Sequence, residues 1–238
     1  FDFHGGGSDL IFPHHENEIA QSEAFTGKKP MVKYWLHNGF ITINSEKMSK
    51  SLNNFFLVKD VLEHYSPDAL RFFLISNHYR SPLDFSDERL EEMTRSLERL
   101  GTAIDNVLEL LAMPAGAKSP EAQQLLETAH KDEEDFENAM CDDFNTALAS
   151  AAMFDLAKNV NIFKNAVVNN GVPVDSAAMS EVKRVFKTFT DILGILEDRW
   201  TGKKEDASSK DYDDLTSDSE RLRIPPRHSL AVAYGLLY

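Results

Sequence analysis

Cysteine is nearly absent. Cys141 is the one thiol in 238 residues, so no disulfide can form within the chain, and a reducing, cytoplasmic setting is expected. Basic residues are scarce relative to acids: 25 lysines and arginines stand against 39 aspartates and glutamates, a formal net charge of −14. That balance argues against binding nucleic acid by bulk charge and leaves room only for a local basic face. No apolar run approaches the roughly 20 residues of a membrane-crossing helix, so no membrane partner is expected. No charged-then-apolar signal pattern opens the chain. An initiating methionine is missing too; Phe1 stands inside a strand-like run, and the chain is expected to be a fragment. What is there is the composition of an ordinary folded protein, 42% apolar and 27% charged, enough for one large domain or two smaller ones. No internal repeat is evident.

The run from His4 to Ala24, HGGGSDLIFPHHENEIAQSEA, concentrates unusual residues. Gly5, Gly6 and Gly7 permit positive φ and close approach to the backbone. They suit either a cradle for an anionic group ahead of a helix or a plain flexible turn. A short helix is predicted over 14–26, with Pro13 ahead of it and Gly27 as its stop. His14 and Glu18 then lie at i and i+4 on one face. An imidazole nitrogen and a carboxylate oxygen at that spacing can reach one metal ion, zinc by ligand type. The alternative is a solvated His–Glu pair, and two ligands alone do not make a zinc site. His15 and Glu16 point elsewhere, as supporting or surface groups.

Further along, WLHNGFITIN (Trp35 to Asn44) has the aromatic and β-branched content of a strand or hairpin. From Val58 the pattern turns helical. Ser66 is placed as an N-cap with Pro67 at the first helical position. Ser86 caps a long amphipathic helix whose stripe is Leu90, Met93, Leu97, Leu100, Ile104, Val107 and Leu111. A second helix is expected at about 121–140. A third follows Asn145, with Leu148, Ala152, Leu156 and Phe163 inward. A fourth carries Val182, Val185, Phe186, Phe189, Ile192, Leu193 and Leu196. Four such stripes with short connections predict an antiparallel bundle. Cys141 is expected to be a small buried or half-buried thiol. Residues 201–238, rich in acids, serines and lysines at first, are expected to be a disordered linker and tail.

EKMSKSLNN (Glu46 to Asn54) sets Lys47 and Lys50 three apart on a polar loop. Both can sit over phosphates and stabilise charge building on a leaving pyrophosphate; a generic surface turn is the alternative. The full string KMSKS resembles the nucleotide-activating signature of class I aminoacyl-tRNA synthetases. Together with FDFHGGGSDLIFPHHENEIAQSEA before it and SPDALRFFLIS after it, the chain resembles cysteinyl-tRNA synthetases, strongly over about residues 1–100 and more loosely to about 196, where DDFNTALA is a recognisable part.

The resemblance implies an α/β plus all-α fold: the C-terminal part of a Rossmann-like class I catalytic domain, then an antiparallel helical bundle of the DALR type. It places the catalytic part at 1–58, a connecting helical segment at 59–85 and the bundle at 86–200. It implies ATP-dependent activation of cysteine, with Mg2+, and transfer to tRNA(Cys), by a monomer. In that family a zinc ion binds the substrate thiolate and is held by two cysteines, a histidine and a glutamate; His14 and Glu18 match the last two. Gly7 and Asp9 match the segment approaching the adenylate. Lys50 matches the ATP-contacting lysine, with Lys47 its partner. The HIGH signature and both cysteine ligands are absent from this chain, so it is expected to be inactive alone. Asn53 replaces a glycine common after KMSKS, and the tail beyond Trp200 does not resemble the family's small anticodon-recognition domain. Two further readings stand beside this one: a cysteine ligase acting on an amino-sugar through the same adenylating core, and a non-catalytic tRNA-binding module.

Overall fold

A computed structural model describes residues 1–43, 46–48 and 57–202. Strand β1 (Phe3–Gly7) runs parallel to β2 (Tyr34–Asn38), with His4 opposite Trp35 and Gly6 opposite His37. Parallel neighbours require a crossover, and the segment between them supplies it. A 3-10 turn (Ser8–Leu10) and a π-turn (Ile11–His15) lead into helix α1 (Glu16–Thr26). Phe12 is extended (φ −136°, ψ 133°) just ahead of Pro13. The regular helix therefore begins at Glu16 rather than at residue 14, and His14 and His15 ride on the wide turn leading in. Gly27 ends α1 in the left-handed conformation (φ 66°), where a Cβ would be strained.

The stretch expected to be one strand or hairpin is split between two sheets. After β2 the chain enters β3 (Ile41–Ile43), which pairs antiparallel with β4 (Glu46–Lys47) and parallel with β5 (Leu83–Phe85). Gly39 is the break: a Cβ there would collide with the Ser81 carbonyl, so only glycine lets the two backbones pass so closely.

Helices α2 (Val58–Leu62) and α3 (Pro67–Ile75) follow. The Ser66 hydroxyl accepts from the Ala69 N–H at 3.1 Å and Pro67 takes the first helical position. Helices α4 (Asp87–Ala112), α5 (Pro120–Cys141), α6 (Thr146–Asn170) and α7 (Ser176–Leu193) form the bundle, closed by the short α8 (Glu197–Thr201). Their N-caps are Ser86, Ser119, Asn145 and Asp175, each accepting from a backbone N–H of the first turn. Leu90, Leu97, Leu100, Ile104 and Val107 are buried as the stripe predicts, as are Phe186 and Phe189. Phe136 of α5 stacks on Phe189 of α7 with centroids 4.3 Å apart. Helix α3 serves two cores. Ala69, Phe72 and Ile75 join the bundle core, while Phe73 packs with Val61, Phe85 and Leu90 toward the second sheet.

Three further expectations are corrected. Leu148 is 55% and Ile192 46% exposed; both sit beside the inward stripe, where one residue's 100° step carries a side chain past the helix contact. Cys141 is exposed, because it is the last residue of α5, where the helix runs out of the core. Lys50 and the tail from 203 onward lie outside the described residues. None of the described helices is long and apolar enough to cross a membrane.

Candidate functional site

Parallel pairing puts register partners on one face, and side chains alternate faces along each strand. His4 of β1 and Trp35 and His37 of β2 therefore share the face that the α1 crossover covers, with Gly6 between them. Phe3 stacks on Tyr34 on the other face, centroids 5.3 Å apart. Because Gly6 has no side chain, the His15 ring can lie against the strand: a Cβ at Gly6 would stand 3.1 Å from His15 Cε1 and 2.9 Å from Leu10 Cδ1. Gly6 alone of the three glycines serves this close approach, and none of Gly5, Gly6 and Gly7 adopts a positive φ.

The result is an imidazole-rich cluster. His15 is 3% exposed, and its Nδ1 lies 2.9 Å from His37 Nε2. Trp35 packs against it, with ring centroids 5.0 Å apart, and stacks on His37 at 5.8 Å with only 5° between planes. His4 meets both His15 and Trp35 edge-on. Glu18 reaches back from the first turn of α1. Its Oε2 lies 2.9 Å from His4 Nε2 and its Oε1 3.6 Å from His14 Nε2.

Burial first, and the nearby His37 second, push the His15 imidazole below its ordinary value. Burial, then the Arg80 guanidinium, does the same for His37. A buried imidazole stacked among others is held neutral because a charged ring would be both desolvated and repelled. In the tautomer where His15 Nδ1–H donates to His37, the His15 Nε2 lone pair is left to accept a cation.

One donor atom each from His4, His15 and Glu18 lies within 4.8 Å of the other two. Two ligands held at roughly 2.0–2.2 Å by one tetrahedral ion sit about 3.4 Å apart, so small side-chain adjustments bring this set onto a zinc ion. The His14–Glu18 separation also fits. The donor chemistry, imidazole with one carboxylate, suits zinc. Sequence reasoning found His14 and Glu18 and missed the rest. His15, expected to be a supporting or surface group, is the buried centre of the cluster. His4, Trp35 and His37 were available from the alternation in FHGG and WLH, had the two strands been known to pair in this register.

The other expected site residues lie around this cluster to different degrees. Gly7 ends β1, and the Asp9 carboxylate folds back over it, 2.5 Å from where a Gly7 Cβ would stand. Both therefore sit at the C-terminal edge of the parallel pair, where ligands of open α/β sheets bind. The Lys47 backbone pairs with Thr42 in β4. Lys50 is outside the described residues.

Against known proteins, residues 1–95 match the class I (C) tRNA synthetase catalytic domain and residues 135–197 the DALR domain. The "Cysteine--tRNA ligase" of Desulforamulus reducens is 52% identical over 207 residues, covering 85% of this chain and 42% of that protein. That of Heliobacterium modesticaldum is 50% identical over 202 residues, 82% of this chain and 41% of its own length. The one from Geotalea daltonii reaches 58% over 170 residues, 68% of this chain and 34% of its own length. The chain thus spans about two fifths of the length of the first two. Among solved structures, the LeuRS of Agrobacterium radiobacter K84, in a ternary complex with tRNA and LeuAMS, superposes with a TM-score of 0.64. At 19% identity, over 84% of this chain and 26% of that one, it shows a shared fold.

Proposed function

We propose that this chain, a homologue of cysteine–tRNA ligases over most of its length, is the part of such a ligase that holds the amino-acid side chain and closes over ATP. The observation that carries the reading is the His4–His15–Glu18 cluster with His14 beside it, built into the segment that matches the class I (C) catalytic domain.

Cysteine differs from serine by a soft, acidic thiol. When bound, zinc supplies a Lewis acid with a greater affinity for thiolate than for hydroxyl, a discrimination larger than the roughly 1–3 kcal/mol available from shape in an apolar pocket. Glu18 with His14 and two thiolates from outside this chain, or Glu18 with His4, His15 and one such thiolate, would supply four protein ligands for that ion. The neutral His15–His37 pair fixes the ring orientation and adds no competing positive charge. Trp35 shields the rings from water on the strand side.

The cysteine carboxylate attacks the α-phosphorus of ATP, the bond to the β-phosphate breaks, and cysteinyl-adenylate and pyrophosphate result. Lys47 and Lys50 would stabilise the charge that grows on the departing pyrophosphate, and Mg2+ carried with ATP would supply further positive charge there. Gly7 and Asp9, at the C-terminal edge of β1, would contact the nucleoside. A ribose hydroxyl at the tRNA(Cys) end then attacks the aminoacyl carbonyl and releases AMP. The DALR-matching helices lead toward the anticodon arm. The ligase is taken to act as a monomer in the cytoplasm, a reducing compartment that the single cysteine suits.

The test is cysteine-dependent ATP–pyrophosphate exchange and tRNA(Cys) charging by the complete ligase. Exchange with cysteine and not with serine is expected. Charging of an amino-sugar in place of tRNA, or no exchange with any amino acid, would overturn the reading.

A further inference from the structure

The turn between α5 and α6 lies far along the chain from the imidazole cluster, yet a short run of hydrogen bonds links them. Asp143 (φ 56°) and Phe144 (φ 55°) are both left-handed. Aspartate tolerates that region and phenylalanine seldom visits it, so two in succession persist only where surrounding contacts determine them. The contacts are visible. Tyr79 Oη donates to Asp143 Oδ1 at 2.8 Å, and Arg80 Nε donates to Oδ2 at 2.6 Å. His78 Nε2 stands 3.8 Å from the same carboxylate, and the Arg80 guanidinium lies 5.4 Å from the Tyr79 ring centroid. One carboxylate thus gathers three consecutive side chains of the loop between α3 and β5.

That loop in turn holds the end of β2. The Tyr79 carbonyl accepts the Gly39 N–H at 2.8 Å, and Ser81 lies so close to Gly39 that a side chain there is excluded. Gly39 follows Asn38, the last residue of β2, and two residues before it His37 bonds His15. The path Asp143, Tyr79, Gly39, His37, His15 contains three hydrogen bonds and two residues of strand.

We propose that Asp143 is a positioning residue by which the helical bundle sets the end of β2, and with it the His37–His15 pair of the cysteine-side site. The functional part of this statement rests on the ligase reading above; the structural part does not. A surface ion pair contributes little in isolation, but here a bidentate carboxylate fixes a loop whose backbone continues into a strand carrying site residues. Its loss is felt as misplacement at the site rather than as unfolding of the bundle.

The informative variant is Asp143→Gly, because glycine keeps φ near +56° without strain while removing the carboxylate. Hydrogen exchange and histidine ring signals read by NMR on this chain separate the outcomes. The Gly39 amide should exchange about tenfold or more faster and the His37 ring signals should shift. The Asn145 N–H, bonded to the Ala139 carbonyl within the turn, should keep its protection. Asp143→Asn, which retains an acceptor for Tyr79, should restore part of the Gly39 protection. If Asn145 also loses protection, the double variant Tyr79→Phe with Arg80→Met, which leaves the turn's own residues unchanged, must reproduce the faster Gly39 exchange; its His37 signals decide nothing, because loss of the Arg80 charge moves them directly. Unchanged Gly39 exchange in that double variant, or unchanged Gly39 exchange and His37 signals in Asp143→Gly with Asn145 protected, overturn the proposal. In the complete ligase Asp143→Gly should raise KM for cysteine roughly fivefold with KM for ATP unchanged; an equal rise in both overturns the positioning role. If the complete wild-type ligase shows no cysteine-dependent exchange, the ligase reading fails while the NMR result still decides the structural coupling.

Discussion

Nε2 of His14 and Oε1 of Glu18 lie 3.6 Å apart across the start of α1, although His14 precedes the regular helix. The i,i+4 relation survives because the π-turn delivers His14 to the face from which Glu18 projects. Glu18 is at the same time 2.9 Å from His4, so it belongs to either possible set of ligands. Glu18→Gln in the complete ligase should therefore lower zinc affinity about 10–100-fold in competition with a chelator. His14→Ala and His15→Ala tell the two sets apart: the larger loss identifies the ligand. Unchanged zinc affinity in all three variants would remove the metal from this cluster.

Lys50 is assigned to the leaving pyrophosphate by the KMSKS pattern alone. Lys50→Ala in the complete ligase should slow ATP–pyrophosphate exchange by the equivalent of about 2–4 kcal/mol, the usual consequence of removing one oriented donor from developing charge. Zinc content should stay at the wild-type level. Unaltered exchange kinetics would dismiss the role, and a parallel loss of zinc would indicate a general structural defect.

Local signals made the helical half readable. Ser66, Ser86 and Asn145 cap where a side-chain oxygen precedes a helical period, and that depends on a few neighbouring residues. The cluster was legible only through His14 and Glu18, whose relation is also local. His4, His15 and His37 come together through the register of β1 with β2 and the absence of a Gly6 side chain, both non-local facts. The same limit explains Leu148 and Ile192: a stripe gives the direction of burial but not its width, which the neighbouring helices decide.

The bundle core offers a direct comparison of inward and outward positions on α7. Phe189 is fully buried and stacked on Phe136, so Phe189→Ala should destabilise the chain by about 3–5 kcal/mol in urea unfolding. Ile192→Ala, at a side chain 46% exposed, should cost less than about 1 kcal/mol. Similar losses from the two would mean that the face of α7 turned to the core is misassigned.

Asp132 supplies a pH dependence of unusual sign. It is 4% exposed on the inner side of α5, and its Oδ2 has no hydrogen-bond partner among the described residues. Burial, and then the Asp155 carboxylate, pushes its pKa from 3.8 up to about 6. A carboxyl whose folded pKa lies above its unfolded one binds more protons when folded, so stability declines as pH rises from about 4 to about 6 and stays lower above that. A separation of roughly two pH units corresponds to a penalty on the order of 3 kcal/mol for the ionised form. Asp132→Asn keeps the shape and removes the charge. It should raise stability by about 1–3 kcal/mol at pH 7.5, with the gain shrinking toward zero near pH 4, where the wild-type carboxyl is protonated when folded. Urea unfolding of both proteins at the two pH values measures this. A gain of equal size at both, or a loss at pH 7.5, would show that the Asp132 carboxylate carries no buried-charge penalty.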